Sequence, residues 1–261
     1  MKETNSKTIK EYIIYQEKYQ KMYGKKTFIL MEVGSFYEIH ALESLNKEKK
    51  LGSDLDYLGE LTDLFKSVRQ VVTHEGEQYR LFISGFPTHS QEKFISKLLN
   101  AGCTIVLVDQ TGENESGSGK KREVTRILSP GTAIDNPVKS DNAGNNIISI
   151  VFNIGKDPST KKPIFLAGIS IIDFITGNSF CSQIESTPED NKLWLDECFR
   201  IIHSYMPKEI IIGISNNCHN EPLFKKDLLL KEFDCKDTPV FYETKIPDKY
   251  YKPVFIEDLL N

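Results

Sequence analysis

The chain has 261 residues, 39% of them hydrophobic and 27% charged, with a formal net charge of -4; this is room for one large or two ordinary globular domains and excludes a disordered polar chain. Charges balance up to Asp135 and the acidic excess lies beyond it, which excludes a general basic nucleic-acid sponge, so DNA binding has to be local or shared with a partner that supplies phosphate contacts. Five scattered cysteines (Cys103, Cys181, Cys198, Cys218, Cys235) without a C-x-x-C pair exclude a disulfide framework and a zinc site, and no apolar run approaches the ~18 residues of a membrane span.

The chain therefore reads as soluble and intracellular, in a reducing compartment, with nucleus, cytoplasm, virion factory and mitochondrion all open. "SKTIKEYIIYQEKYQKMYG" places Ile9, Tyr12, Ile13, Tyr19 and Met22 near a helical period with Gly24 as the stop. "KTFILMEV" is a strand and "GSFYEIH" continues it after Gly34, a bend, a bulge or a close approach. In a strand, Phe36, Glu38 and His40 share one face and Tyr37 and Ile39 the other. "HALESLNKEKKLG" and "SDLDYLGELTDLFKSV" read as helices, and "RQVVTH" and "YRLFISG" as a hairpin around "EGEQ".

"PTHSQEKFISKLLNAG" is the clearest helix, with a capping box from Thr88 to Gln91, Phe94, Leu98 and Leu99 on one face, and Gly102 just past its end. "CTIVLVDQ" is a buried strand, followed by the polar loop "TGENESGSGKKREVTRI" of a long hairpin. "SPGTAIDNPVKSDNAGNN" reads as a linker. After it come strands "IISIVFNI", "PIFLAGISIID" and "SFCSQI", a helix over "PEDNKLWLDECFRIIHSYM", and strand "KEIIIGIS". That order gives an α/β fold with a mixed sheet.

Several chemistries are tested by spacing. "GSGK" lacks the G-x-x-x-x-G-K-[ST] pattern of a phosphate loop, because Lys121 follows Gly119-Lys120 and Asn114 stands at the first glycine position. Asp173, in "GISIIDFITG", is where a metal-dependent nuclease would hold an ion, but two-metal chemistry needs converging carboxylates and strand "IIIGIS" has none. Asp173 is expected to cap its turn. His74, His89, His203 and His219 are isolated, and Trp194 reads as an anchor between helix and sheet.

Phe36 and Glu38 remain. An exposed aromatic can wedge between base pairs at a cost that falls where pairing is faulty. A neighbouring carboxylate repels phosphates, yet accepts a hydrogen bond from a base edge, or donates one if protonated. The plainer reading is an aromatic edge strand with a solvated Glu.

"GSFYEIH" resembles the G-D-F-Y-E segment of the MutS family of DNA mismatch-recognition ATPases. "ISGFPTHSQEKFISKLLNAGCTIVLVDQ", "KREVTRILSPGTAID" and "LAGISIIDFITGNSF" resemble three further family segments in the same order. The resemblance implies a mixed-sheet mismatch-recognition domain over residues 1–132, a linker over 133–146 and a ribonuclease-H-like connector domain over 147–261. It implies that Phe36 stacks on the mispaired base from the minor groove, that Glu38 hydrogen-bonds that base, and that Tyr37 is core. Ser35 stands where the family has Asp. The family's basic T-K-R stretch is replaced by a longer acidic segment, leaving Lys66 and Arg69 as candidate backbone contacts.

The implied partners are double-stranded DNA with mismatches or small loops and a downstream repair protein of the MutL type on the connector. No cofactor or metal is expected in this chain, since ATP and magnesium belong to an ATPase domain that it lacks. The chain is expected to be a non-catalytic N-terminal part of a longer protein, monomeric alone and dimeric at full length. The alternatives are a nuclease using Asp173 and a protein-binding adaptor that does not touch DNA.

Overall fold

The computed structural model describes residues 2–113, 120–133, 144–187, 189–216, 218, 220–235, 238–244 and 246–260. The chain divides into two compact units, Met1–Lys139 and Ser140–Asn261, each with its own sheet and core. Both sheets are mixed, and the fold is α/β. No helix among the described residues is long and apolar enough to cross a membrane.

The first unit opens on α1 (Lys2–Tyr23), whose Ile9, Tyr12, Ile13, Gln16 and Tyr19 recur at helical spacing and are all buried. The helix ends at Gly24, whose φ of 93° is costly for a residue with a Cβ. Strands β1 (Thr27–Val33), β2 (Phe36–Ser44) and β3 (Lys50–Gly52) follow, then α2 (Leu55–Thr62), β4 (Ser67–His74) and β5 (Glu77–Pro87). A 3-10 turn leads into α3 (Gln91–Asn100), β6 (Thr104–Glu113) and β7 (Lys120–Leu128). The sheet runs β4-β5-β2-β1-β6-β7, with β3 paired to β2. Its β1–β6 pair is parallel, and β1 is buried continuously over Thr27–Met31, apolar from Phe28 on.

Two readings of the sequence are corrected here. Residues 40–52 are not helical: β2 continues to Ser44, the chain turns, and β3 pairs back on it. The Leu, Glu and Lys residues there favour a helix, but nine residues of β2 are paired with β5, from Phe36↔Pro87 to Ser44↔Tyr79. That pairing buries Leu42 fully, and tertiary context overrides propensity. The capping box at Thr88 does not form either. Thr88 and Ser90 lie in the 3-10 turn, the Thr88 amide donates to Ser35 O at 2.9 Å, and Ser90 at the N-cap makes no side-chain bond. The helix's other end is as expected. Gly102 has φ 75°, its amide donates to Leu99 O, and that of Cys103 donates to Leu98 O.

The second unit comprises β8 (Asn146–Lys156), β9 (Pro163–Asp173), β10 (Ser179–Glu185), α4 (Leu193–Tyr205), β11 (Glu209–Ile214), α5 (Lys226–Glu232), β12 (Val240–Glu243) and α6 (Pro253–Leu260). The order β10-β9-β8-β11-β12 joins three antiparallel strands to two that run parallel to β8. Trp194 anchors α4 to this core as expected: it is fully buried, its ring lies 4.9 Å from that of Phe152, and its Nε1 donates to Asn191 O. The 114–119 stretch holding most of the "GSGK" loop and residues 134–143 of the linker lie outside the described residues.

Candidate nucleic-acid interface

Val33 pairs with Phe36, so β1 and β2 are joined by the two-residue loop Gly34-Ser35. Such hairpins need a first residue with positive φ, and Gly34 has φ 65°. The short loop fixes the register. Phe36, first in the strand, leaves its ring on one face, and the residue is 46% exposed. Tyr37 turns to the other face, where it is buried, its ring 5.9 Å from that of Phe86 and its hydroxyl donating to Asp109 Oδ1 at 2.6 Å. Burial, then that bond to a carboxylate, raises the Tyr37 phenol above its usual range. Phe36 is not on an edge, because β2 lies between β1 and β5.

The alternation holds, but its face is open to water only at the start. The side chain of Glu38 is 25% exposed and that of His40 2%, and Glu38 Oε2 lies 2.8 Å from His40 Nε2. Helix α1 covers His40, with the Tyr12 ring 4.7 Å from the imidazole. Opposite Glu38 in β5 stands Gly85. A Cβ there would come within 2.5 Å of the Tyr37 carbonyl oxygen, so the glycine lets β5 lie close against the site strand.

Lys66 and Arg69 are not brought to this end of β2. Lys66 is ion-paired with Asp56, and Arg69 sits exposed at the bulge between Val68 and Gln70. Through β5 that bulge is level with Ala41 and Leu42. At ~3.3 Å per residue this is roughly 16 Å or more along the strand from Phe36.

Asp173 is committed to its turn, accepting from the amides of Ile175 (3.0 Å) and Asn145 (3.2 Å) and from Thr176 Oγ1 (2.9 Å). These bonds, the Ile175 amide first, hold its carboxyl below the usual range. No group of three or more His, Cys, Asp or Glu able to hold a metal occurs among the described residues. His203 Nε2 lies 3.0 Å from Phe233 O, His74 packs against Tyr79, His89 is exposed, and His219 is outside the described residues. The residue that sequence reasoning missed is His40. Its signal was its place two residues after Glu38 on the same face.

The first unit thus presents an exposed aromatic followed, two residues on, by a partly exposed carboxylate on a sheet hairpin. Residues 14–137 match the family model of MutS domain I. A putative DNA mismatch repair protein mutS homolog of Acanthamoeba polyphaga mimivirus is 28% identical over 88% of this chain and 20% of its own length. The DNA mismatch repair protein MutS of Lachnoclostridium phytofermentans is 27% identical over 78% of this chain and 18% of its own, and that of Treponema denticola 24% over 97% and 24%. Among solved structures, RNase H1 of Halobacterium salinarum NRC-1 aligns over 40% of this chain and 88% of its own at 10% identity and a TM-score of 0.23, too low for a likeness of fold. The chain is similar over most of its length to MutS DNA mismatch repair proteins, and its residues 14–137 to MutS domain I. It spans about a fifth of the length of the curated relatives it matches.

Proposed function

We propose that this chain recognises mispaired DNA, with Phe36 inserted as a wedge at the mispair from the minor groove and Glu38 hydrogen-bonding the displaced base. One observation carries the reading. Phe36 is a large apolar side chain held 46% exposed by a two-residue loop, directly beside a carboxylate on the same face. Stacking on a base supplies about 1–3 kcal/mol, and inserting a ring costs least where the base pair is already faulty.

On this reading residues 1–132 form the mismatch-recognition domain and 147–261 the connector. The antiparallel-then-parallel strand order of the second sheet supports a ribonuclease-H-like connector. A repair partner of the MutL type is then expected on the connector, and ATP-driven clamp behaviour belongs to the rest of a full-length dimer.

Fluorescence anisotropy of the chain with a labelled G·T heteroduplex and its matched control, at low and near-physiological salt, tests the wedge. Phosphate contacts weaken steeply with salt and stacking does not. A preference for the heteroduplex that survives salt and disappears in Phe36→Ala is the expected result. Unchanged preference in Phe36→Ala removes the wedge.

A further inference from the structure

We infer that the first unit carries a small-molecule site apart from the Phe36 hairpin: a cavity that takes a nucleoside monophosphate, its base beside Phe82 and its phosphate between Lys25 and Lys50. The inference does not rest on the reading of Phe36 and Glu38.

A cavity of about 350 Å³ opens where β2, β3 and β5 meet the start of α2. That is the size of a site for a small ligand. Its floor is a row across three strands, in which Gly52 of β3 and Phe82 of β5 stand level with Ala41 of β2. The row offers no side chain, a methyl and a half-buried ring, so it forms a low apolar shelf. No side chain fits at Gly52, because a Cβ there would stand 2.5 Å from the His40 carbonyl oxygen. Lys66 closes one side, its ammonium 5.7 Å from the centre of the Phe82 ring and ion-paired with Asp56.

The charges around the shelf favour an anion. Three carboxylates and three lysines line the cavity, but the carboxylates are already engaged. Asp54 caps α2, accepting from the Tyr57 amide at 3.0 Å, and Asp56 holds Lys66. Glu43 stands between Lys50 of β3 and Arg80 of β5 in the strand register, so Arg80 offsets it. Lys25 and Lys50 are exposed and make no ion pair among the described residues. Two ammonium groups are thus left beside an apolar shelf, in a cleft that concentrates their field.

A cation is repelled there, and an uncharged ring leaves both lysines unused. A carboxylate brings one negative charge, whereas a phosphate monoester brings close to two at neutral pH and matches the pair. Lys50 lies two residues along the strand from Gly52, about 7 Å. The sugar of a nucleoside monophosphate spans such a gap between base and phosphate. The cavity is five to seven residues along β2 from Phe36, roughly 16–23 Å, which fits a free nucleotide rather than a base of a duplex held at that hairpin.

Equilibrium dialysis of the full chain at low salt against adenosine 5′-monophosphate, adenosine and inorganic phosphate tests the site. One nucleotide per chain is expected, bound at least about tenfold more tightly than adenosine or phosphate alone, a margin of one good contact. Lys25→Gln and Lys50→Gln should each weaken the nucleotide by about fivefold, the worth of one charge contact in water. Phe82→Leu should weaken it by about fivefold as well, the low end of a base–aromatic contact, and leave phosphate binding as it was. Thermal melts check that each variant is folded, and the two lysine variants carry the test if Phe82→Leu is not. No binding of the nucleotide at millimolar concentration overturns the inference, as does unchanged affinity in the Lys25→Gln/Lys50→Gln double variant. Phosphate bound as tightly as the nucleotide reduces the cavity to an anion site and overturns the assignment of the ligand.

Discussion

Phe36 and Tyr37 are adjacent aromatics with opposite surroundings, one facing solvent and one hydrogen-bonded into the sheet through Asp109. Their separation follows from the period of a strand, and was legible in "GSFYEIH" because only two faces exist. The same rule could not tell that His40 is buried. Alternation tells which residues share a face, but what covers that face is decided by α1, some thirty residues earlier. Glu38 has a role separable from that of Phe36. A unit charge near a phosphate is worth about 1 kcal/mol in water. Glu38→Ala is therefore expected to raise affinity for matched duplex, by about fivefold at low salt, and to narrow the gap between matched and mismatched DNA. Anisotropy titrations of the variant read this directly, and a fall in matched-duplex affinity would count against it.

Among the elements, β2 depends on how closely β5 can approach it. A methyl on Gly85 meets the Tyr37 carbonyl oxygen at 2.5 Å, so Gly85→Ala has to part the strands beside Glu38. Overpacking of this kind costs typically 1–3 kcal/mol, and a thermal melt is expected to show a drop of several degrees. The β8–β9 turn offers a pH test. Asp157 Oδ1 accepts from the amide (3.1 Å) and hydroxyl (2.6 Å) of Ser159 and from the amide (2.5 Å) and hydroxyl (2.8 Å) of Thr160. The Ser159 hydroxyl foremost, these donors hold its carboxyl down at about 2, below the usual 3.8. A lowered folded-state value means the contribution is complete above about pH 4 and is lost as pH falls towards 2. Asp157→Asn should flatten that part of the melting-temperature profile, and an unchanged slope would exclude the turn as its source. Strands β8 to β11 were legible as apolar runs between turns, whereas the short β12 (Val240–Glu243) was not read from the sequence. Residues 40–52 were not, since their helix-forming composition is overruled by pairing with strands elsewhere in the chain.

At the scale of the whole molecule, the core residues fall into two sets. The first runs from Ile9 to Ala133 and the second from Ile148 to Cys235, with none in common. Residues 1–132 and 147–261, produced separately, are therefore each expected to unfold cooperatively, with melts that together account for that of the full chain. A half that shows no transition of its own would refute this. Two closed cores also shape what the chain can tolerate over evolutionary time. Truncating Trp194 to alanine removes a fully buried ring, at about 3–5 kcal/mol, yet the loss falls on the second unit and leaves the hairpin that presents Phe36 as it was. On that expectation each unit keeps its own margin against mutation, and drift in one does not erode the other.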